Sequence, residues 1–457
     1  MLYRDAYDML LDWKSNDRGK ALLVDGARQI GKTFLLEQFA QREYADYIKV
    51  DFLSDDRAAE VLSSATTAQQ VIEALSLISG KQVVPGSTLV FLDEVQEAPN
   101  VVTFSKYLVQ DGRFDVAMSG SMLGVELAHV KSLPVGYMRI ETMYPLTFWE
   151  FCKAQGVPAA VLADIKECFK AKTPVHNAVH ERMIRLFRLY LVIGGMPEAV
   201  QKYVDAKGDL GAVRQVQEDL VALYREDMAK HAGDRVLQVK AIYDALPAQL
   251  AKENKRFLLK SLKSEAKFDR YANDFAWLVG ARAALMAKSV TDPRPMLERT
   301  EEQGRFKLYL SDTGMLLSQY RSTVALDALA GARSVNFGGV YENVVAQELA
   351  SAGVPLHYYR NSRKGEVDFI VEADGHAALP IEVKSGKDYK RHVALNNLLR
   401  SEEYGISRAY VLSEANVSVE QREGGEVSYV PLYMLPCIAE EAKGGDLSGV
   451  KVLPPEW

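Results

Sequence analysis

A chain of 457 residues with 48% hydrophobic and 25% charged content has the composition of a globular protein of roughly two to four domains. Its formal net charge of −6 argues against a uniformly basic nucleic-acid coat, while leaving room for a local basic patch. Cys152, Cys168 and Cys437 lack metal-ligand spacing and cannot form an even disulfide set, which fits a reducing cytosol. The first residues, Met1-Leu2-Tyr3-Arg4-Asp5, have no basic-then-apolar leader pattern. No apolar run approaches the roughly 20 residues that span a bilayer. A cytoplasmic protein with no membrane contact is expected.

The apolar run Ala21-Leu22-Leu23-Val24 leads into Gly26-Ala27-Arg28-Gln29-Ile30-Gly31-Lys32-Thr33 and then a helical stretch from Phe34 to Ala40. Strand, glycine loop and helix in that order are the context of a phosphate-binding P-loop. Glycines let successive backbone N–H groups turn inward onto phosphate oxygens, and the helix N-terminus adds partial positive charge. Lys32 is expected to reach the terminal phosphates of ATP and Thr33 to ligate Mg²⁺.

Tyr47–Phe52 reads as a second strand, and residues 58–79 read as helix, with Val61, Leu62, Val71, Leu75 and Ile78 at a rough helical spacing. A continuous apolar strand, Thr88-Leu89-Val90-Phe91-Leu92, ends in Asp93-Glu94 and fits a parallel sheet covered on both faces. Ligands gather at the carboxyl ends of such strands. Asp93 is expected to hold Mg²⁺ through water and Glu94 to polarise the attacking water. A third strand, Phe114–Ser121, ends in Ser119-Gly120-Ser121, whose hydroxyls either touch the γ-phosphate or belong to an ordinary Ser-Gly turn.

The order of P-loop, Leu92-Asp93-Glu94-Val95-Gln96, Ser119-Gly120-Ser121 and Tyr144-Pro145-Leu146-Thr147-Phe148-Trp149-Glu150-Phe151 resembles a prokaryotic family of AAA-like ATPases. These carry a C-terminal domain of uncharacterised function related to restriction-endonuclease folds. The resemblance implies an α/β fold: a P-loop NTPase core over residues 1–155, a helical lid over 156–235, a winged-helix domain over 236–330 and a nuclease-like domain over 335–457. The family shows Gly-Arg ahead of its Pro-Leu-(Ser/Thr)-Phe segment, whereas this chain has Gly136-Tyr137-Met138-Arg139. Arg139 and Arg113 are the candidates for an arginine finger, which would act across a homo-oligomer.

Residues 181–204 are helical in pattern until Gly194-Gly195-Met196-Pro197 interrupts them. The resemblance places Gly195 and Pro197 in a lid over adenine, and a plain helix–helix joint is the alternative. Between residues 252 and 270, seven Lys/Arg stand against three Asp/Glu, either a DNA-backbone contact or a solvated face. Two prolines make Asp292-Pro293-Arg294-Pro295 a tip or linker.

The last domain opens with a helix carrying Glu342. Strands follow at His357–Tyr359, Glu366–Val371 and, beyond a turn at Asp374-Gly375, Pro380-Ile381-Glu382-Val383-Lys384. Alternation puts Glu382 and Lys384 on one face, and Asp368 on the neighbouring strand completes two carboxylates and an ammonium. Such oxygen ligands suit Mg²⁺ or Mn²⁺. The helical Glu followed by Asp-x(13)-Glu-x-Lys resembles the PD-(D/E)xK nucleases. The expectation is a metal bound by Asp368, Glu382 and Glu342, with Lys384 catalytic, or a degenerate domain that only binds DNA or protein. Gly444-Gly445 and Pro454-Pro455 mark a partly ordered tail.

Overall fold

Strands that are apolar at every position need partners on both edges and cover on both faces. The computed structural model describes residues 2–65, 67–121, 136–332, 336–373 and 377–444. Strands β1 (Ala21–Gly26), β2 (Asp46–Asp51), β3 (Thr88–Asp93), β4 (Asp115–Gly120) and β5 (Met138–Met143) form a parallel sheet in the order β2-β3-β4-β1-β5. β1, β3 and β4 are buried along their whole length. Because β4 lies between β1 and β3, the loops leaving all three strands meet at one edge of the sheet. The helix Lys32–Glu43 returns over the sheet from that edge.

The helical stretch expected over 58–79 is two helices, Asp56–Ser63 and Ala68–Ser79. Thr67 starts the second by accepting a hydrogen bond from the Gln70 amide, the N-cap chemistry that an uninterrupted helix would lose. After β5 come helices Phe148–Ala154, Ala159–Ala171, Asn177–Ile193, Pro197–Asp205 and Leu210–His231. Gly194–Met196 forms the break, and Pro197 takes the first helical position, where its missing N–H costs nothing.

Helices Val236–Leu250 and Phe268–Gly280 precede the antiparallel strands β6 (Ala284–Val290) and β7 (Glu301–Leu310), and Asp292–Pro295 lies in their connection. The expected wing is not a free-standing hairpin. β6 also pairs in parallel with β8 (His357–Asn361), so the hairpin closes one end of a second sheet. A largely buried β6 cannot leave an edge of N–H and C=O groups unmatched.

That sheet continues through β9 (Gly365–Ala373), β10 (Ala377–Val383), β11 (Arg408–Ser413), β12 (Ser418–Arg422) and β13 (Gly425–Pro431), in the order β12-β13-β11-β10-β9-β8-β6-β7. Helix Val393–Leu399 covers one face through Leu395, Leu398 and Leu399. Helices Gly338–Ser351 and Leu435–Ala442 lie in the core on the other. That core is continuous from Leu10 to Ala442 and touches both sheets. The turn at residues 374–376 and the tail from 445 lie outside the described residues. Among the described residues, no helix is long and apolar enough to cross a membrane.

Candidate nucleotide site and carboxylate cluster

β1 ends at Gly26, where any Cβ would meet the Met143 carbonyl and the Ile30 side chain. Gln29 (φ +61°) and Gly31 (φ +86°) then adopt left-handed backbone ahead of the helix N-terminus. The Lys32 ammonium is buried beneath this loop and donates to the Gly26 and Ala27 carbonyls at 2.9 and 2.8 Å. Burial pulls its pKa down to about 8, opposed by Glu94, Asp25 and Asp93. The Thr33 hydroxyl donates to Asp93 Oδ1 at 3.0 Å, and the Ser119 hydroxyl donates to the same oxygen. Lys49, from β2, lies 3.1 Å from Asp93 Oδ2. Glu94 takes a left-handed conformation (φ +55°); its Oε2 accepts from the Gln96 amide at 2.5 Å and from the Ser121 hydroxyl at 3.4 Å. Lys32, Thr33, Asp93, Glu94, Ser119 and Ser121 are therefore assembled at the carboxyl edge of the sheet. Adjacent hydroxyl and carboxylate oxygens on Thr33 and Asp93 fit a hard cation such as Mg²⁺.

Beside the loop lies an apolar cavity of about 390 Å³, lined by Leu2, Arg4, Ile30, Phe34, Pro197 and Gln201 among others. Phe34 is 53% exposed there, a large ring left largely uncovered. Pro197 Cγ approaches to 3.8 Å of the position a Cβ on Gly31 would take. The loop bearing Pro197 is fixed from behind. The Leu146 amide donates to the Gly195 carbonyl at 2.7 Å, and a side chain on Gly195 would collide with the Leu146 backbone. The Gly195 amide donates to Asp312 Oδ2 at 2.6 Å, and the Met315 amide to Asp312 Oδ1 at 2.8 Å. Burial raises this carboxyl to about 6, against the pull of those amides. Arg28 pairs with Asp227 at 2.6 Å, and the Tyr224 hydroxyl donates to the Arg28 carbonyl at 3.1 Å.

The two finger candidates are placed elsewhere. Arg139 pairs with Leu22 across β1 and β5, four residues upstream of Gly26, and is held by Asp12, Asp17 and Glu141. Arg113 precedes β4 and pairs with Asp111. Both sit toward the amino ends of their strands, whereas the nucleotide loop is at the carboxyl ends.

In the C-terminal region Glu342, Asp368, Glu382 and Lys384 do come together, but around a cation from this chain. The buried Lys307 ammonium, on β7, lies 3.1 Å from Glu342 Oε2, 3.3 Å from Glu366 Oε1 and 3.4 Å from Asp368 Oδ1. Burial opposes its charge, yet Glu342, Asp368 and Glu366 more than offset that and hold its pKa well above the usual lysine value. Tyr309 donates to Glu342 Oε2 at 2.9 Å, Lys255 reaches Glu342 Oε1 at 3.1 Å, and the Val383 amide donates to Asp368 Oδ2 at 2.9 Å. Lys384 binds Glu382 Oε1 at 2.7 Å, which leaves Glu382 Oε2 buried without a partner. Burial and nearby Asp368 raise Glu382 to about 7. Of the six oxygens on the expected ligands Glu342, Asp368 and Glu382, five are thus engaged by donors of this chain, which compete with any Mg²⁺ or Mn²⁺ for them. Among the described residues no three His, Cys, Asp or Glu side chains are placed to hold a metal.

The sequence assigned no role to Arg4, Lys49, Gln96, Asp312 or Lys307. Lys307 carried a visible signal, a lone lysine inside the apolar strand Phe306–Leu310. Arg4 carried none: its guanidinium donates to the Ile30 and Tyr144 carbonyls across long sequence distances.

Residues 18–152 match the profile of an AAA domain, residues 184–323 a domain of unknown function (DUF8612) and residues 337–435 a second one (DUF4143). A search of curated proteins finds no match. Among solved structures the chain is similar to the Walker-type ATPase PABY2304 of Pyrococcus abyssi, at 12% identity over 70% of this chain and 96% of that one, with a TM-score of 0.43. It is also similar to the Thermotoga maritima RuvB Holliday junction branch migration motor, at 12% identity over 62% and 89% with a TM-score of 0.26. The Aeropyrum pernix ORC1 protein in complex with DNA matches at 10% identity over 73% and 93%, with a TM-score of 0.24. The amino-terminal third is accordingly an AAA-type P-loop ATPase domain, followed by two domains of uncharacterised function.

Proposed function

We propose that this protein is a Mg²⁺- and ATP-dependent switch that hydrolyses ATP and acts on DNA-associated machinery, with a C-terminal domain that binds nucleic acid or protein without cutting it. The observation that carries this reading is the assembly of Lys32, Thr33, Asp93 and Glu94 at the end of one parallel sheet. Backbone amides of residues 26–33 and Lys32 hold the phosphates, and Thr33 and Asp93 hold Mg²⁺. When bound there, the ion would neutralise phosphate charge. Glu94, once released by Gln96, orients and deprotonates water, while Ser119 and Ser121 sense the terminal phosphate. Phe34, Gly195 and Pro197 frame the adenine.

The placement of Arg139 and Arg113 away from the loop favours an arginine from a second copy, hence a homo-oligomer. Lys260, Lys263, Lys267 and Arg270 are exposed on one short segment and supply a phosphate-backbone contact. Lys255 and Arg256, from the same basic run, are turned inward onto Glu342 and Glu366. Free thiols at Cys152, Cys168 and Cys437 fit a cytoplasmic setting.

Titration calorimetry with ATP, with Lys32→Ala as control, tests the core of this reading. Uptake by the wild type and its loss in the variant are expected; no uptake, or uptake indifferent to Lys32, overturns it. Incubation of DNA and RNA with Mg²⁺ or Mn²⁺ and ATP is expected to leave both intact. Cleavage abolished by Lys384→Ala would restore the nuclease reading, which the unpartnered Glu382 Oε2 favours.

A further inference from the structure

We propose that the Lys307 ammonium is the resident cation of the carboxylate cluster, taking the place of the divalent ion that the Asp368, Glu382 and Lys384 pattern implies. The inference deepens the non-cutting reading of the C-terminal domain and is independent of ATP binding.

The first support is valence. An ammonium has three N–H donors and no acceptor. Lys307 has three carboxylate oxygens, one each from Glu342, Glu366 and Asp368, at 3.1 to 3.4 Å. Two of its donors are hydrogen-bonded, to Glu342 and Asp368, Glu366 makes an ion pair, and the ring of Tyr358 lies 5.1 Å away. The second support is charge. Glu342, Glu366, Asp368 and Glu382 face Lys307, Lys255, Arg256 and Lys384, so the cations number as many as the carboxylates and no net negative charge is left to draw another cation. A divalent ion at the same point would face a buried ammonium at contact distance, and in a weakly screened interior that repulsion is large. The third support is origin. Lys307 enters from β7, and Arg256 bridges to the same strand position, so residues outside the motif close the cluster.

Glu382 Oε2 gives the inference a measurable consequence. It is buried and without a hydrogen-bond partner beside Asp368. Removing the Lys307 ammonium would leave the Glu342, Glu366 and Asp368 oxygens, now 3.1 to 3.4 Å from it, around one gap, with the unpartnered Glu382 Oε2 beside Asp368. Placed as they are they hold no metal, but closing in by about 1 Å would make them an all-oxygen donor set of the kind Mn²⁺ and Mg²⁺ accept.

The test is Mn²⁺ binding to the intact, nucleotide-free chain, followed by electron paramagnetic resonance and by melting temperature. Wild type and Asp368→Asn are expected to bind Mn²⁺ indistinguishably. Lys307→Ala is expected to gain one site at least tenfold tighter than any in the wild type. The Lys307→Ala/Asp368→Asn double variant should lose that site. Mn²⁺ should raise the melting temperature of Lys307→Ala but not of wild type. A wild-type Mn²⁺ site that disappears in Asp368→Asn overturns the proposal, as does a folded Lys307→Ala that gains no site. If Lys307→Ala does not fold, the comparison of wild type with Asp368→Asn decides alone. ATP turnover in the same preparations separates the two readings, since its absence from wild type would remove the ATP switch and leave the Mn²⁺ result standing.

Discussion

Lys32 is bonded to the carbonyls of its own loop, so triphosphate binding has to turn the ammonium from Gly26 and Ala27 toward the ligand. Glu94 is similarly held, by Gln96 and Ser121, and in the proposed role as base would have to be freed to act on water. Glu94→Gln should therefore lower ATP turnover by roughly 100-fold or more while leaving ATP affinity near wild type. Phosphate release and calorimetry on one preparation check both halves. Glu348 offers a test without ligand. Burial raises its carboxyl from 4.5 to about 8, although it accepts the Phe148 amide at 2.7 Å. The folded state thus binds a proton that the unfolded state releases, and stability falls as pH rises from 4.5 to about 8. Glu348→Gln removes this loss, on the order of a few kcal/mol. Melting curves should show the variant gaining on wild type between pH 5 and pH 8.5; a constant gap would contradict the assignment.

At the scale of elements, the Gly194–Pro197 loop shows how a local break acquires a role. Two glycines and a proline announce the end of one helix and the start of another, but not what the loop touches. In the fold it is clamped between Leu146 and Asp312 while Pro197 faces Gly31. Gly195→Ala forces a methyl group onto the Leu146 backbone, which cannot rotate away as a side chain could. A loss of about 1–3 kcal/mol is expected from such overpacking, with weaker ATP binding because Pro197 is displaced. Thermal melting and ATP titration together test this; a variant of wild-type stability and affinity would show that the loop is slack. β7 makes the same point, since its pattern predicts a strand but not its membership in the C-terminal sheet.

For the whole molecule, the decisive contacts join the ATPase domain and the helices after it to the last domain. The Phe148 amide meets Glu348, the Trp149 indole donates to the Tyr433 carbonyl at 3.2 Å, and Val175 and Asn416 exchange two hydrogen bonds. With one core shared by both sheets, calorimetry should give a single unfolding transition. Mg²⁺ and ATP at about 100 times the dissociation constant should raise its stability by about 2.7 kcal/mol. Two transitions, with ATP moving only one, would mean that the domains unfold independently.

The sequence by itself determined what neighbouring residues can encode: the nucleotide loop, the apolar strands with their terminal Asp93 and Glu94, the helix break at Gly194 and the clustering of Asp368, Glu382 and Lys384. Those features follow from local periodicity, glycine conformation and strand alternation, which act over a few residues. Only the tertiary structure decided that Arg139 lies at the far end of its strand, that Asp312 holds the Gly194–Pro197 loop, and that Lys307 fills the cluster. Lys307 stands 35 residues from Glu342, which is on a helix, and 61 from Asp368, which is on another strand of the same sheet. Which distant side chain enters a buried group of charges depends on strand order and on neutralising those charges away from water.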